Sequence, residues 1–336
     1  MSGDPADQTS GEEAMIARYF RPLARDPGAF GLLDDAATLT PPPGCDVVLT
    51  TDAIVGGVHF FPDDPPDTIA RKALRVNLSD LAAKGAKPAG FLLSLALPKT
   101  VGEKWLGAFA RGLGTDAEAY GCPLLGGDSV RTSGPVTISI AAFGLVPSGA
   151  MLRRSGGHPG DRVVVSGTIG DAALGLLLRR DPETAQRWQL DRPEHDHLIE
   201  RYLVPQPRNA IAELLRRHAS AAMDVSDGLA GDLGKLCAAS GVGADIEVAR
   251  VPLSQPAQRA IAASPALVET ALTGGDDYEI IATVPATALG SLIAEAGAAG
   301  VALTEIGTIR EQQGSVRFLD RTGHSLMFKE LAFSHF

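Results

Sequence analysis

The segment Val47-Val48-Leu49-Thr50-Thr51-Asp52 decides the fold class of this chain. Its three apolar residues, two of them β-branched, predict a short buried strand, and the Thr-Thr-Asp sequence brings polar oxygens to the end of that strand. A helix is predicted next, over 68–84, because apolar residues recur there at helical spacing. A second apolar strand is predicted over 91–97, where Pro98 ends it. The succession of strand, helix and strand favours a mixed α/β fold.

The same alternation is predicted along the rest of the chain. Helices are expected at 12–23, 101–120, 171–180, 209–218, 229–240 and 286–299, and strands at 136–145, 244–248, 278–284, 303–309 and 316–319. The segment 181–196 is polar and shows no periodicity, so we expect a loop, and 223–228 is predicted as a turn. A stretch rich in Gly, Pro, Ser and Arg at 147–161 predicts a domain boundary. We therefore expect two layered α/β domains, 1–148 and 149–336.

Composition excludes several classes of protein. The 336 residues carry 40 Asp and Glu against 30 Lys and Arg, and a net charge of −10 argues against a non-specific nucleic-acid binder. No apolar run approaches the roughly 20 residues that cross a bilayer, and the first 13 residues have no signal-peptide pattern, so we expect a cytoplasmic protein. Cys45, Cys122 and Cys237 are odd in number and far apart, which argues against disulfides and a zinc site.

Acidic residues and glycines occur together at five points, and Asp80 is a sixth, solitary candidate. The five clusters are Asp34-Asp35, Thr50-Thr51-Asp52, Gly126-Gly127-Asp128, Met223-Asp224-Val225-Ser226-Asp227-Gly228 and Gly274-Gly275-Asp276-Asp277. Any one of them is also typical of a turn or a helix N-cap. Together, at the ends of predicted strands, they favour Mg²⁺ binding for phosphoryl transfer, because Mg²⁺ prefers carboxylate oxygens and bridges phosphates. The sequence motifs of P-loop ATPases, protein kinases and zinc proteases are absent.

An ordered series of motifs resembles the thiamine-monophosphate kinase family over nearly the whole chain. Besides the five clusters, the last of which continues into Tyr278-Glu279, the series contains Gly56-Gly57-Val58-His59-Phe60, Asn77-Leu78-Ser79-Asp80-Leu81-Ala82-Ala83 and Arg154-Ser155-Gly156. The resemblance implies the two-domain fold shared with aminoimidazole ribonucleotide synthetase and selenophosphate synthetase. It also implies a homodimer in which the N-terminal domains pair into a β-barrel-like interface, with the nucleotide in a cleft that the C-terminal domain completes.

The activity implied by the resemblance is transfer of the γ-phosphoryl group of ATP to thiamine monophosphate, with several Mg²⁺ ions, to give thiamine diphosphate. No catalytic base is expected, because the acceptor is already a phosphate anion at neutral pH. Three groups of residues correspond to the family's functional positions. The implied metal ligands are Asp35, Thr51, Asp52, Asp80, Asp128, Asp224 and Asp227, with Thr50 assisting; the nucleotide contacts are Thr50, Gly127, Asp128, Arg154 and Ser226; the substrate contacts are His59, Asp276 and Phe333.

Three positions depart from the family pattern. Leu33 replaces a common glycine before Asp34-Asp35, Asp276 replaces a longer Glu, and Phe333 stands where Tyr or Trp is frequent. The alternatives are another enzyme of the superfamily, such as aminoimidazole ribonucleotide synthetase or selenophosphate synthetase, and a nucleotide- and metal-binding regulator without turnover. The absence of a cysteine before Cys45 argues against selenophosphate synthetase, and the presence of every implied carboxylate argues against a regulator.

Overall fold

The computed structural model describes residues 11–311 and 315–332, so Phe333 lies outside the described residues. Residue contacts divide the chain into two compact units. The first unit comprises the described residues of Met1–Asn77 and Pro88–Leu145, and the second comprises those of Leu78–Lys87 and Val146–Phe336. The domain boundary at 148/149 stays a prediction, and the short segment 78–87 groups with the second unit.

The first unit is built on a four-stranded sheet. Its regular elements are α1 (Gly11–Met15), β1 (Cys45–Val55), α2 (Pro66–Ala83, whose last six residues belong to the second unit), β2 (Lys87–Leu97, whose first residue belongs to the second unit), α3 (Glu103–Ala119), β3 (Leu124–Arg131) and β4 (Thr137–Pro147, whose last two residues belong to the second unit). The strand order is β1-β4-β2-β3, and β2 pairs with β3 in parallel. Burial alternates along β4, so one side of the sheet is covered, whereas Leu49 and Val130 are exposed in β1 and β3.

The second unit is a six-stranded mixed sheet with helices. Its elements are β5 (Arg162–Ser166), α4 (Asp171–Arg180), α5 (Thr184–Arg187), α6 (Arg192–Leu203), α7 (Ala212–His218), β6 (Ala221–Val225), α8 (Leu229–Ser240), β7 (Gly243–Glu247), α9 (Gln255–Ala263), α10 (Leu267–Thr273), β8 (Glu279–Val284), α11 (Leu289–Ala298), β9 (Leu303–Arg310) and β10 (Val316–Leu319). The strand order is β10-β7-β9-β5-β8-β6. Only the β10–β7 pair is parallel among these neighbours.

Both sides of this second sheet are buried, which explains its apolar strands. Val163 and Val165 of β5 pack in one core with Leu233 of α8, and Val164 of the same strand packs in another with Leu215 of α7. Because successive side chains of a strand point to opposite sides, an uninterrupted Val-Val-Val run serves both layers. The predicted mixed α/β class is confirmed in both units.

Helices with strong periodicity were predicted well. The predictions for 171–180 and 229–240 coincide with α4 and α8, and those for α2 and α3 agree to within two residues at each end. The loop predicted over 181–196 is wrong, because α5 and the first turn of α6 lie there. Asp191 and Glu194 form a reciprocal capping box at the start of α6, a local signal that apolar periodicity does not detect.

The acidic clusters lie inside strands more often than the sequence predicted. Thr50-Thr51-Asp52 is in the middle of β1, Gly126-Gly127-Asp128 is within β3, and the first half of the predicted turn 223–228 belongs to β6. In β1 the β-branched Ile54 and Val55 continue the strand beyond Asp52. The expectation that these clusters stand at strand ends or turns is therefore wrong for the first two, whereas the third lies at the end of β6 and in the turn that follows it. None of the described helices has the length and apolarity to cross a membrane.

Candidate active site

A cavity of about 700 Å³ in the first unit contains several of the predicted residues. Asp35, Gly127 and Asp128 line it, together with apolar side chains that include Leu49 and Leu92. The lining therefore combines carboxylates with a largely apolar wall, an arrangement that suits an organic ring carrying an anionic, metal-bound group. Thr51 and Asp52 of β1 are not among the residues that line it.

Gly127 has a packing reason for being glycine. A Cβ at this position would lie 1.9 Å from the carbonyl oxygen of Leu93 in the adjacent strand β2. No side chain can occupy that space, so the residue allows β3 to approach β2 closely. Beside it, the Asp128 carboxylate accepts a 2.8 Å hydrogen bond from the amide of Ser129 and is otherwise exposed at the surface of the sheet.

The loop before Asp34-Asp35 does not require a glycine at position 33. Leu33 has φ −111° and ψ −1°, which any residue adopts, whereas Phe30, Gly31 and Leu32 have positive φ. The departure from the family's glycine therefore causes no backbone strain at Leu33. Asp35 is exposed, and its amide donates a 2.8 Å hydrogen bond to the side chain of Asp34.

Asn77 holds the strand at Asp52. Its Oδ1 accepts a 3.0 Å hydrogen bond from the Asp52 amide, and its Nδ2 donates a 3.0 Å bond to the carbonyl of Ala73. Asn77 is completely buried. The Thr51 hydroxyl, adjacent to Asp52, donates a 3.0 Å bond to the carbonyl of Ile140 in β4. The backbone of β1 is thus fixed at both predicted metal-ligand positions, and Thr50 lies next to them on the same strand.

His59 follows β1 in a short turn and has a defined tautomer. Its Nδ1 accepts a 3.0 Å hydrogen bond from the amide of Val55, so in the neutral ring the proton is on Nε2. The carbonyl of His59 accepts a 3.1 Å bond from the Lys72 ammonium, which is buried. Both the Nδ1 atom and the carbonyl of His59 are therefore hydrogen-bonded.

In the second unit, Asp80 of α2 and Asp224 of β6 form a pair of neighbouring acids. Burial raises the pKa of Asp224 well above its usual range, and the nearby charge of Asp80 raises it further. Lys84, one turn after Asp80, donates a 2.9 Å hydrogen bond to the carbonyl of Ala222. Burial lowers the pKa of this ammonium, as does Arg154, whereas Asp224 and Asp80 raise it. Lys84 is thus influenced by the positive charge of Arg154 and by the negative charges of Asp224 and Asp80. Arg154 itself is exposed.

Asp232 organises the turn that carries Ser226 and Asp227. Its buried carboxylate accepts 2.9 Å hydrogen bonds from the amides of both residues and a 2.8 Å bond from the Lys235 ammonium. Burial raises the pKa of Asp232, while the bond from Lys235 opposes that rise. Lys235 also forms an ion pair with Asp227. Sequence reasoning missed Asp232, although its place in the first turn of α8 was a signal for such a role.

Asp276 belongs to a strained loop next to this turn. Its amide donates a 2.8 Å hydrogen bond to the carbonyl of Ser226, and the amide of Tyr278 donates a 2.8 Å bond to the carbonyl of Val225. Both Asp276 and Tyr278 have positive φ, at 74° and 51°. The predicted substrate residue Asp276 and the predicted nucleotide residue Ser226 are therefore adjacent.

The predicted Mg²⁺ ligands fit the chemistry of that ion only in part. Across the described ranges 11–311 and 315–332, no three His, Cys, Asp or Glu side chains are grouped so that they could hold a metal ion. Mg²⁺ typically takes one or two carboxylates and completes its octahedron with water and phosphate oxygens. Pairs such as Asp80 and Asp224 fit that requirement, because their mutual repulsion favours a bound cation. The full set of ligands stays a prediction.

Comparisons with known proteins identify the family to which this architecture belongs. The family model "AIR synthase related protein, N-terminal domain" matches residues 33–146, and the model of the corresponding C-terminal domain matches residues 158–320. The thiamine-monophosphate kinase of Caulobacter vibrioides is 43% identical over 92% of this chain and 87% of its own length. That of Salmonella typhimurium is 41% identical over 97% of this chain and 98% of its own length. The chain belongs to the thiamine-monophosphate kinase family.

Solved structures of thiamine-monophosphate kinases agree. That of Stenotrophomonas maltophilia has a TM-score of 0.82 at 37% identity, covering 95% of this chain and 98% of that chain. AaThiL complexed with AMPPCP and TMP has a TM-score of 0.75 at 30% identity, covering 92% of this chain and 97% of that chain. The hydrogenase maturation protein HypE of E. coli, at 20% identity and a TM-score of 0.77, shares the fold alone. The family resemblance seen in the sequence is confirmed, and so is the two-domain fold.

Proposed function

We propose that this chain is an ATP-dependent thiamine-monophosphate kinase that forms thiamine diphosphate and ADP. The observation that carries the proposal is its 43% identity over 92% of the chain to a thiamine-monophosphate kinase, supported by its likeness to AaThiL complexed with AMPPCP and TMP. AMPPCP has a methylene group in place of the oxygen between the β and γ phosphates of ATP, so it occupies the place of the phosphoryl donor. The other superfamily activities have no comparable support.

The donor nucleotide is assigned to the cavity of the first unit. Its apolar wall, with Leu49 and Leu92, suits a purine ring, and the carboxylates of Asp35 and Asp128 suit metal-bound phosphates. Gly127 lines the same cavity, and Thr50 lies on β1 beside the proposed ligands. Arg154 and Ser226 of the second unit are proposed as further nucleotide contacts, through a guanidinium and a hydroxyl.

Mg²⁺ is proposed to be held by the carboxylates already described. In the first unit these are Asp35, Asp52 and Asp128 with the Thr51 hydroxyl, and in the second unit Asp80, Asp224 and Asp227. The chemistry that Mg²⁺ supplies when bound is neutralisation of the phosphate oxygens. Asn77 fixes the backbone at Asp52, and Asp232 fixes the turn at Asp227, so two of these ligands are pre-positioned by buried side chains.

The acceptor needs positioning rather than a base. The phosphate of thiamine monophosphate is already an anion near pH 7, so its oxygen attacks without losing a proton to the protein. The obstacle is repulsion between two anions, which cationic side chains such as Arg154 reduce. His59 is proposed to donate from Nε2 to the acceptor phosphate, and Asp276 to accept from the amino group of the pyrimidine or face the cationic thiazolium. The role predicted for Phe333 lies outside the described residues.

The active protein is proposed to be a cytoplasmic homodimer that pairs through the sheet of the first unit. Four apolar side chains of that sheet are exposed: Val47, Leu49, Leu92 and Val130. The first three also line the cavity, so the proposed interface borders the proposed nucleotide site. Apolar groups on a sheet surface favour a protein partner, and a second copy of the same sheet would produce the barrel-like interface that the family resemblance implies.

One assay tests the activity. Purified protein with ATP, Mg²⁺ and thiamine monophosphate should form thiamine diphosphate and ADP in equal amounts, and free thiamine should give no product. The formation of product from aminoimidazole precursors or selenide, with none from thiamine monophosphate, would overturn the proposal. Omission of Mg²⁺, or addition of a chelator, should abolish the reaction.

A further inference from the structure

The loop Asp276-Asp277-Tyr278-Glu279 alternates between partly exposed and buried residues. Asp276 and Tyr278 are partly exposed, whereas Asp277 and Glu279 are completely buried. The two partly exposed residues are those with positive φ, which costs an ordinary residue about 1–3 kcal/mol and persists only where the surroundings enforce it. Something buried must therefore hold this loop.

Two arginines bind the buried carboxylate of Glu279. Arg201 of α6 lies 2.7 Å from Oε1, and Arg208, in the segment after α6, donates a 2.6 Å bond to Oε2 and a second bond to Oε1. The hydroxyl of Ser166 in β5 donates a 2.6 Å bond to Oε2 and accepts a 2.8 Å bond from the amide of Ile280. We call Arg201, Arg208 and Glu279 the arginine clamp.

The arginine clamp contacts the backbone of the loop as well as the side chain of Glu279 at the end of the loop. Arg201 donates a 3.3 Å hydrogen bond to the carbonyl of Asp277, inside the strained loop. The side chain of Asp277 accepts a 2.7 Å bond from the amide of Gly170, just before α4. Both buried residues of the loop are thus attached to elements outside it.

Gly167 packs directly against the arginine clamp. A Cβ there would lie 2.2 Å from Oε1 of Glu279 and 2.5 Å from Nη2 of Arg208, so only glycine leaves room for the pair. Two guanidinium groups on one buried carboxylate also carry a net positive charge. Such a cluster is a weak source of stability compared with an apolar core, but its bidentate hydrogen bonds fix the geometry of the groups that it joins.

We propose that Glu279, held by Arg201 and Arg208, is a positioning residue for Asp276, and that the clamp keeps the strained loop in the conformation that recognises thiamine monophosphate. This inference rests on the proposed function of Asp276 as a substrate contact. It also assigns a role to α6, whose first turn lies in the segment predicted as a loop: the helix supplies Arg201 to the clamp.

The decisive variants are Glu279→Gln and Arg208→Lys, each alone and with Asp276→Ala. Loss of the clamp should raise the KM for thiamine monophosphate at least tenfold while the KM for ATP changes less than twofold. In the Asp276→Ala background the same substitutions should add no further change, because they act through Asp276. Arg208→Lys keeps the charge but not the bidentate bonds, so it should show the same changes at a smaller size. It replaces Glu279→Gln in both measurements if Glu279→Gln does not fold.

A second measurement follows the loop itself and does not depend on turnover. Hydrogen exchange at the amides of Asp276 and Tyr278, which bond to the neighbouring turn, should become at least tenfold faster in Glu279→Gln. The matched control is Ile246→Ala in β7, a buried change separated from β8 by two strands, which lowers stability without touching the loop. Ile246→Ala should leave the KM for thiamine monophosphate unchanged. The exchange of the Asp276 and Tyr278 amides, relative to the rest of the sheet, should also be unchanged.

The outcomes separate the two proposals. A fall in kcat with an unchanged KM for thiamine monophosphate, or effects that add to those of Asp276→Ala, would show that the clamp only stabilises the fold and would overturn the inference. If the wild-type protein has no kinase activity, the proposed function fails, and unchanged exchange at the loop in Glu279→Gln would then overturn the clamp as well. Faster exchange would retain the clamp as the element that holds the loop.

Discussion

The amide of Asp52 in β1 donates a 3.0 Å hydrogen bond to the side chain of Asn77 in α2, so a completely buried amide group fixes the backbone of a predicted Mg²⁺ ligand. The same Asn77 donates to the carbonyl of Ala73 one turn earlier in its helix. Both the oxygen and the nitrogen of the Asn77 side-chain amide are therefore hydrogen-bonded. The bond to Ala73 in the same helix fixes the orientation of the amide.

Asn77→Ala should lower kcat/KM by at least about 100-fold, because displacement of a reacting group by about 1 Å has effects of that size. The free energy of unfolding should fall by about 1–3 kcal/mol, since the Asp52 amide loses its buried partner. Steady-state kinetics and urea unfolding measure the two effects. Ile69→Val on the same helix is the control, with about 0.5–1.5 kcal/mol lost and activity retained. Equal kinetic losses in both variants would contradict the role of Asn77.

Asp52→Asn and Asp128→Asn should each reduce turnover at least about 100-fold with little loss of fold, because each removes a charge proposed to bind Mg²⁺ while the size of the side chain is kept. The reduction should be greatest at limiting Mg²⁺. Glu103→Gln, which removes an exposed carboxylate that pairs with Arg18 at the surface, is the matched control and should be neutral. Near-normal turnover of either Asp variant at limiting Mg²⁺ would remove that residue from the metal site.

The pH dependence of the free energy of unfolding should contain a contribution from the buried acid Asp277. Burial raises the pKa of Asp277 well above its usual range, although the bond from the amide of Gly170 and the charge of Arg201 oppose the rise. An acid with a raised pKa in the folded state favours folding while it is protonated. That contribution is complete below the unfolded pKa of about 3.9 and is lost as the pH rises through the higher folded value.

The Asp277→Asn variant provides the comparison, because its amide side chain cannot titrate. The free energy of unfolding of the wild type, minus that of Asp277→Asn, should fall as the pH increases from about 4, by about 1.4 kcal/mol for each unit by which folding raises the pKa. Urea unfolding of both proteins between about pH 4 and pH 8 measures this difference, in which all other titrating groups largely cancel. A constant difference would show that the pKa of Asp277 is not raised.

The sequence predicted those parts of the molecule that depend on local periodicity. Helices α4 and α8 were predicted with their observed bounds, because their apolar residues repeat regularly and their ends carry clear signals. The sequence predicts the polar clusters at strand ends, because a run of three apolar residues indicates only a short strand. Thr51 and Asp52 are nevertheless accommodated inside β1, where the neighbouring strand and helix satisfy them.

The residues that hold the site could not be found in the same way. Arg201 and Glu279 are 78 positions apart, and only the pairing of β8 with its neighbours and the course of α6 bring them together. The family motifs contain Asn77 and Glu279 as well as the residues proposed to touch ligands. They do not show that Asn77, Asp232 and the arginine clamp act on those residues through the backbone. Their roles depend on tertiary contacts that no local pattern specifies.

The exposed surface of the first sheet leads to a last prediction, on assembly. Leu49 is 67% exposed in the middle of β1, with Val47 on the same side of the strand. If two copies pair through this surface, Leu49→Asp places a charge in the interface, and burial of an unpaired charge costs several kcal/mol. The dimer dissociation constant should then rise at least about 100-fold, since each 1.4 kcal/mol is a factor of ten.

Sedimentation equilibrium of the wild type and of Leu49→Asp measures this shift from dimer to monomer. The matched control is Met327→Asp in the second unit, where an apolar side chain is 89% exposed but lies outside the sheet of the first unit. It should remain dimeric. Because Leu49 also lines the cavity proposed for the nucleotide, the KM for ATP of Leu49→Asp should be compared at protein concentrations above and below its new dissociation constant. If the wild type is a monomer, or if Leu49→Asp has the same dimer dissociation constant as the wild type, this surface is excluded as the interface.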